Sequence, residues 1–166
     1  DILQNVDKDV IDEKIVSFKK TMKKLPIGDI ALPTGVKGLK KYIEKNIDVS
    51  QNTSIFTTVR KGTPAHVKAA ILYNDVLVHK NLDKKHELIA NGEKIKWAYL
   101  KSNPLNIPAI AFKGYNDPEQ VMNFIKQYID CDKIFIGVLK NKIDMFYKAL
   151  SWEEAVDKNN SIEKFF

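Results

Sequence analysis

At 166 residues the chain suits one domain or two small ones and is long enough to bury a real core. Its hydrophobic (44%) and charged (29%) fractions are ordinary for a globular protein, and no apolar run approaches the roughly 20 residues that span a bilayer. The net charge of +6 is concentrated: residues 19–68 hold eleven Lys/Arg against three acids, a balance of +8, whereas the remainder holds sixteen against eighteen, a balance of −2. Such a local excess points to a polyanionic contact, with nucleic acid, an anionic membrane surface and an acidic protein as candidates. The single cysteine, Cys131, forbids an internal disulfide and fits a reducing compartment.

Residues 7–24 read as a helix, with Val10, Ile11, Ile15, Phe18, Met22 and Leu25 forming one apolar stripe. Acids crowd its start and lysines its end, as the helix dipole prefers. Pro26 and Gly28 stop it. The opening residue is Asp rather than Met and the helical pattern starts almost at once, as expected of a piece excised from a longer polypeptide. Ile30 to Leu32 then read as a short strand, and Pro33-Thr34-Gly35 with Gly38 as a loop whose backbone comes close to a ligand. Lys37, Lys40, Lys41 and Tyr42 follow, a mixture of cations and an aromatic ring suited to holding a nucleic-acid backbone. The competing reading is a solvated turn and a short helix with Leu39, Tyr42 and Ile43 packed inward.

Ser54 to Val59 is β-branched and aromatic enough for a strand. It feeds into Arg60, Lys61 and Gly62, after which Thr63 reads as the N-cap and Pro64 as the first residue of a helix running to about Lys80. Apolar residues leave that helix little polar face, so burial is expected. His66 and Lys68 stand in its first two turns, the wrong end for cations. A helix built for stability alone would carry acids there, so this start suits an external anion such as a phosphate. His79 and His86 read as surface or capping residues, and three histidines with one cysteine give no metal-binding spacing.

Asn91-Gly92 marks a turn. Beyond it Ile95, Trp97 and Tyr99 alternate with Lys94, Lys96 and Ala98 as in a half-buried strand, and Ala109–Phe112 offers an antiparallel partner. Asp117-Pro118-Glu119-Gln120 supplies an N-cap, a first-position Pro and a capping-box Gln for a helix reaching about Tyr128. A longer helix follows from about Asp130, with Phe135, Val138, Leu139, Met145, Phe146, Ala149 and Leu150 on one face. In the terminal peptide, Ile162, Phe165 and Phe166 share a face if it forms a turn of helix, a plug for another protein's pocket. Together these elements predict an α+β fold, helix-rich with a small antiparallel sheet.

Three stretches, KGTPAHVKAAILYN (61–74), ANGEKIKWAYLKSNP (90–104) and SIEKFF (161–166), resemble the C-terminal end of the family B replicative DNA polymerases of T-even-type bacteriophages. The resemblance implies a thumb domain over residues 1–158, which grips newly made duplex through its backbone, and a sliding-clamp-binding peptide over 159–166. Carried over by position, Lys61, Thr63, His66 and Lys68 would face DNA phosphates, with Arg60, Lys37, Lys40, Lys41 and Tyr42 beside them. Ser161, Ile162, Phe165 and Phe166 would enter the clamp. The implied partners are primer-template DNA, the clamp and the rest of the polymerase, in the cytoplasm of an infected bacterium. No YxDTDS-like motif occurs, so the implied fragment has no catalytic residue and no cofactor of its own; the Mg2+ and nucleotidyl transfer belong to the full enzyme. Two rivals stand beside this reading: an independent small basic nucleic-acid-binding or adaptor protein, and an enzyme acting on a phosphorylated small molecule at Thr63, His66 and Lys68.

Overall fold

The computed structural model of the chain describes residues 7–44 and 55–152. Two compact units emerge: Ala31–Asp130, continuous in sequence, and a second made of Asp1–Ile30 with Cys131–Phe166. The junction at 158/159 and the terminal peptide lie outside the described residues. The fold is α+β.

In the unit Ala31–Asp130, β1 (Leu32–Gly35), β2 (Lys94–Tyr99) and β3 (Ala109–Phe112) form an antiparallel sheet with β2 in the centre. Trp97 of β2 faces Leu32 on one side and Ala111 on the other. The expected strand at Ile30–Leu32 is displaced: Ile27–Ile30 forms a helical turn, α2, in the other unit, and the residues read as a loop, Pro33-Thr34-Gly35, are in β1. Pro is tolerated there because β1 is an edge strand, where a missing N–H costs least. A short helix, α3 (Leu39–Tyr42), follows Gly38, whose φ of 73° favours glycine.

Helix α4 (Ala65–His79) packs against β3. Its apolar residues explain the fit: Val67, Ala69, Ala70, Ile71, Leu72, Tyr73, Val76 and Leu77 are all buried, as are all four residues of β3. The strand expected at Ser54–Val59 is not formed over the described part of that stretch, where Val59 makes an isolated antiparallel bridge to Ile43. Helix α5 (Glu119–Tyr128) ends where its pattern predicts, but Pro118, not Asp117, is its N-cap. The Asp117 carboxylate instead accepts the backbone N–H groups of Lys113 (2.7 Å) and Gly114 (2.8 Å) and the Tyr73 hydroxyl (3.0 Å). Those three donors turn it back toward the preceding loop.

In the second unit, α1 (Lys8–Met22) starts at Asp7, whose side chain accepts the Asp9 N–H at 2.9 Å. The helix stops two residues before its predicted end. The predicted long helix consists of α6 (Cys131–Phe135), a π-helical turn (Ile136–Lys140) and α7 (Asn141–Ala149) in succession. Phe135 is buried as expected, but Met145 is 72% exposed and Tyr147 is buried instead. The reason is the wide turn: it retards the helical rotation, so a face extrapolated at a constant period misses α7. On α1 only Met22 of the expected stripe is fully buried; Val10 and Phe18 remain exposed.

Candidate nucleic-acid interface

Backbone pairing brings the two basic stretches of the unit Ala31–Asp130 together. Beside the Ile43–Val59 bridge, Arg60 N–H donates to the Tyr42 carbonyl at 2.8 Å and Glu44 N–H to the Thr58 carbonyl at 3.0 Å. The stretch carrying Lys37, Lys40, Lys41 and Tyr42 is thus joined to the one carrying Arg60, Lys61, Thr63, His66 and Lys68. A second tether comes from the Asn91-Gly92 turn. The Asn91 side-chain oxygen accepts the N–H of Gly38 and, at 3.4 Å, that of Leu39, while Gly92 N–H donates to the Val36 carbonyl at 2.7 Å. Asn91 therefore ties down the start of α3 from far along the chain. Its sequence signal was an Asn-Gly turn, which locates a bend without saying what the side chain holds.

The start of α4 differs from the expected cap. The Thr63 hydroxyl donates to the Arg60 carbonyl at 2.6 Å, closing the tight turn around Gly62. Pro64 takes the N-cap position and accepts the first helical hydrogen bond, from Lys68 N–H at 3.0 Å. Pro has no side-chain acceptor, so no side chain caps this start, and its first turn holds no acid. His66 and Lys68 are half-buried here, and Arg60 and Lys61 are exposed on the turn before it. Lys37, Lys40 and Lys41 are exposed, with the Lys41 ammonium 5.5 Å from the centre of the half-buried Tyr42 ring. Among the described residues, Lys37, Lys40, Lys41, Arg60, Lys61 and Lys68 enter no ion pair.

The basic segment 19–68 is not all of this surface. Lys19, Lys20, Lys23 and Lys24 belong to the other unit, where Lys19 and Lys23 approach Asp132 at 3.6 and 3.3 Å. His79 is exposed, and His86 Nδ1 lies 2.7 Å from the Asn116 carbonyl, a surface and a loop-tying role. Ser161, Ile162, Phe165 and Phe166 lie outside the described residues.

Next to the joined basic stretches is a cleft of about 640 Å³ that sequence reading did not find. Ile43, Ile71 and Ile89 supply apolar wall, and Lys40, Lys41 and Asp75 also line it. Asp75 sits in α4; its two carboxylate oxygens accept the N–H (2.8 Å) and hydroxyl (2.7 Å) of Thr57. Burial raises its pKa above the ordinary carboxylate value, against the lowering effect of those two bonds. Neighbouring Asn74 holds the lining residue Ile89, donating to its carbonyl at 2.9 Å and accepting its N–H at 2.8 Å. His66 is not among the residues that line the cleft, so it is not the pocket required by the phosphate-metabolising rival.

No protein-family model matches the chain, and no curated protein matches it. Among the described residues, no three His, Cys, Asp or Glu side chains group as a metal site would require, and no helix is long and apolar enough to cross a membrane. The joined stretches carry cations, the uncapped N–H groups of α4 and an aromatic ring, groups whose chemistry suits phosphate oxygens.

Proposed function

We propose that this chain is the C-terminal thumb of a T-even-type phage DNA polymerase of family B, which holds primer-template duplex by its sugar-phosphate backbone. The observation that carries this reading is the pairing of Tyr42 with Arg60 and of Ile43 with Val59, which joins the basic stretch 37–42 to the one that leads into the family-like segment 61–74. Exposed cations displace counterions from the phosphates, and the uncapped start of α4 presents N–H groups to the same backbone. Affinity of this origin is largely independent of sequence and falls steeply with salt. In the full enzyme the grip slows loss of product DNA, while the peptide ending in Phe165 and Phe166 adds a second tether, to the sliding clamp, that multiplies affinity by linkage. Mg2+ held by palm carboxylates would carry out nucleotidyl transfer in that enzyme. This chain's part is to hold the duplex in place.

The test is duplex binding by the isolated chain across a salt series. Lys61→Ala and Lys68→Ala should each flatten the slope of log affinity against log salt by roughly 1 unit. An unchanged slope in the double variant refutes the phosphate contact. Deleting residues 161–166 should abolish clamp pull-down and leave duplex affinity intact. Equal clamp recovery with and without the tail refutes the second tether.

A further inference from the structure

We propose that the cleft beside α3 seats one unpaired nucleotide, its base against Ile43, Ile71 and Ile89 and its phosphate at Lys40 and Lys41. This use of the cleft rests on the duplex grip proposed above and extends it to single-stranded nucleic acid at the edge of that duplex.

The lining restricts the ligand. A volume of about 640 Å³ is in the range of small-ligand sites, roughly 300–1,000 Å³. The exposed lysines at one side favour an anion and oppose a cationic guest. A wholly apolar guest such as a lipid chain is disfavoured by the half-buried Asp75, which would lose water without gaining a donor. A nucleotide answers each feature: its base has apolar faces for the isoleucines, its edge carries a donor for the carboxylate, and its phosphate meets the lysines. Both Asp75 oxygens already accept from Thr57, which fixes the carboxylate in place, and each retains capacity for a further hydrogen bond. A carboxylate at that point favours an exocyclic amino group, as in contacts to the cytosine amino group, over the single ring N–H of thymine, which lies between two carbonyl oxygens that the carboxylate repels. Asn74 fixes the Ile89 wall through two backbone bonds, so the slot is held open by α4 itself. A base inside a duplex cannot reach such a slot without unstacking, whereas a single-stranded one does so at little cost.

The experiment compares anisotropy titrations of the full chain with a blunt duplex, with the same duplex carrying a cytosine overhang or a thymine overhang, and with free dCMP as competitor. The two pyrimidines stack alike but only cytosine carries the amino donor. The cytosine overhang should tighten binding about tenfold over blunt duplex, within the range seen when a base is seated by a protein. The thymine overhang should gain clearly less. Ala90→Trp, which fills the cleft from an exposed position on its lining, should erase the gain and leave blunt-duplex affinity unchanged. Asp75→Asn keeps an acceptor and a donor for Thr57 and should level cytosine with thymine, so the idea remains testable if the tryptophan variant fails to fold. Competition by dCMP with no gain from an overhang assigns the cleft to a free nucleotide and still supports the nucleotide site. Equal binding of blunt, cytosine and thymine substrates with no effect of dCMP overturns the cleft proposal and leaves the duplex grip standing. Binding of dCMP without any duplex binding has the opposite meaning: the cleft stands and the grip falls.

Discussion

The two units place their ion-paired lysines differently. In the unit made of Asp1–Ile30 and Cys131–Phe166, two of the four lysines near the end of α1 turn to an acid: Lys19 and Lys23 share Asp132, and at the other end Lys8 pairs with Asp12 at 2.7 Å. In the unit Ala31–Asp130, the lysine with a structural role is Lys113, buried and held between Glu87 and Glu93 at 3.3 Å each. Burial alone would lower its pKa, but the hydrogen bonds to the two glutamates outweigh it and raise the value. Lys37, Lys40, Lys41, Arg60 and Lys61 have neither burial nor an acid among the described residues. Ion pairing within the fold therefore does not hold these cations in place, as it holds Lys113.

The units also differ in how completely they enclose their apolar side chains. Around α4 and β3, Tyr73, Leu77, Ile110 and Phe112 are almost wholly enclosed, whereas α1 and α7 leave Phe18 about half exposed and Met145 mostly so. Truncation separates the two most strongly. Leu77→Ala should cost about 3 kcal/mol in urea unfolding, the usual result of a cavity that cannot collapse. Met145→Ala should stay within about 0.5 kcal/mol of the parent. Similar losses at both positions would mean that Met145 is covered in solution and that the contrast in packing is false.

The enclosed unit was also the more legible one. The pattern around Trp97, the apolar run Ala109–Phe112 and the apolar helix after Pro64 each mark a buried element, and β2, β3 and α4 fall close to where they are expected. Against the expected alternation, however, Ala98 is buried and Tyr99 only half-buried. Local patterns failed where a side chain had a better distant partner. Asp117 has the sequence of an N-cap but serves three donors elsewhere, and Thr63 closes a turn rather than capping α4. Periodicity failed at the π turn of residues 136–140, since a change of helical pitch carries no compositional mark. At the site, the cations could be listed from the sequence, but the bridge joining Ile43 to Val59 and the reach of Asn91 to Gly38 are contacts between distant segments. The cleft is a product of those contacts and had no sequence signal.

One device is common to both units: a buried tyrosine donating to an aspartate, Tyr73 to Asp117 in one and Tyr147 to Asp12 in the other. In both cases burial, then the neighbouring carboxylate, raises the phenol's pKa well above its ordinary value. The folded state therefore keeps the proton where the unfolded chain releases it. Stability from this source is complete below about pH 10, the phenol's unfolded value, and is lost as pH rises above it. Alkaline unfolding should begin near that pH, and Tyr73→Phe and Tyr147→Phe should each reduce its steepness while costing about 1 kcal/mol at neutral pH for the lost hydrogen bond. An alkaline transition of the same slope in the double variant would show that other groups control it.

The smallest expected effect is the sharpest probe of the difference in lysines. Lys23 meets Asp132 at 3.3 Å with its own side chain about half exposed, a geometry that contributes little in water. Lys23→Ala should therefore change stability by less than about 0.5 kcal/mol. It should also leave the salt slope of duplex binding where it was, whereas Lys61→Ala flattens it. Both substitutions remove one positive charge from the same basic segment of the sequence, so net charge alone predicts equal effects. If Lys23→Ala flattened the slope as much as Lys61→Ala, DNA would be sensing the charge of residues 19–68 as a whole, and the surface joined at Tyr42 and Arg60 would have no special standing.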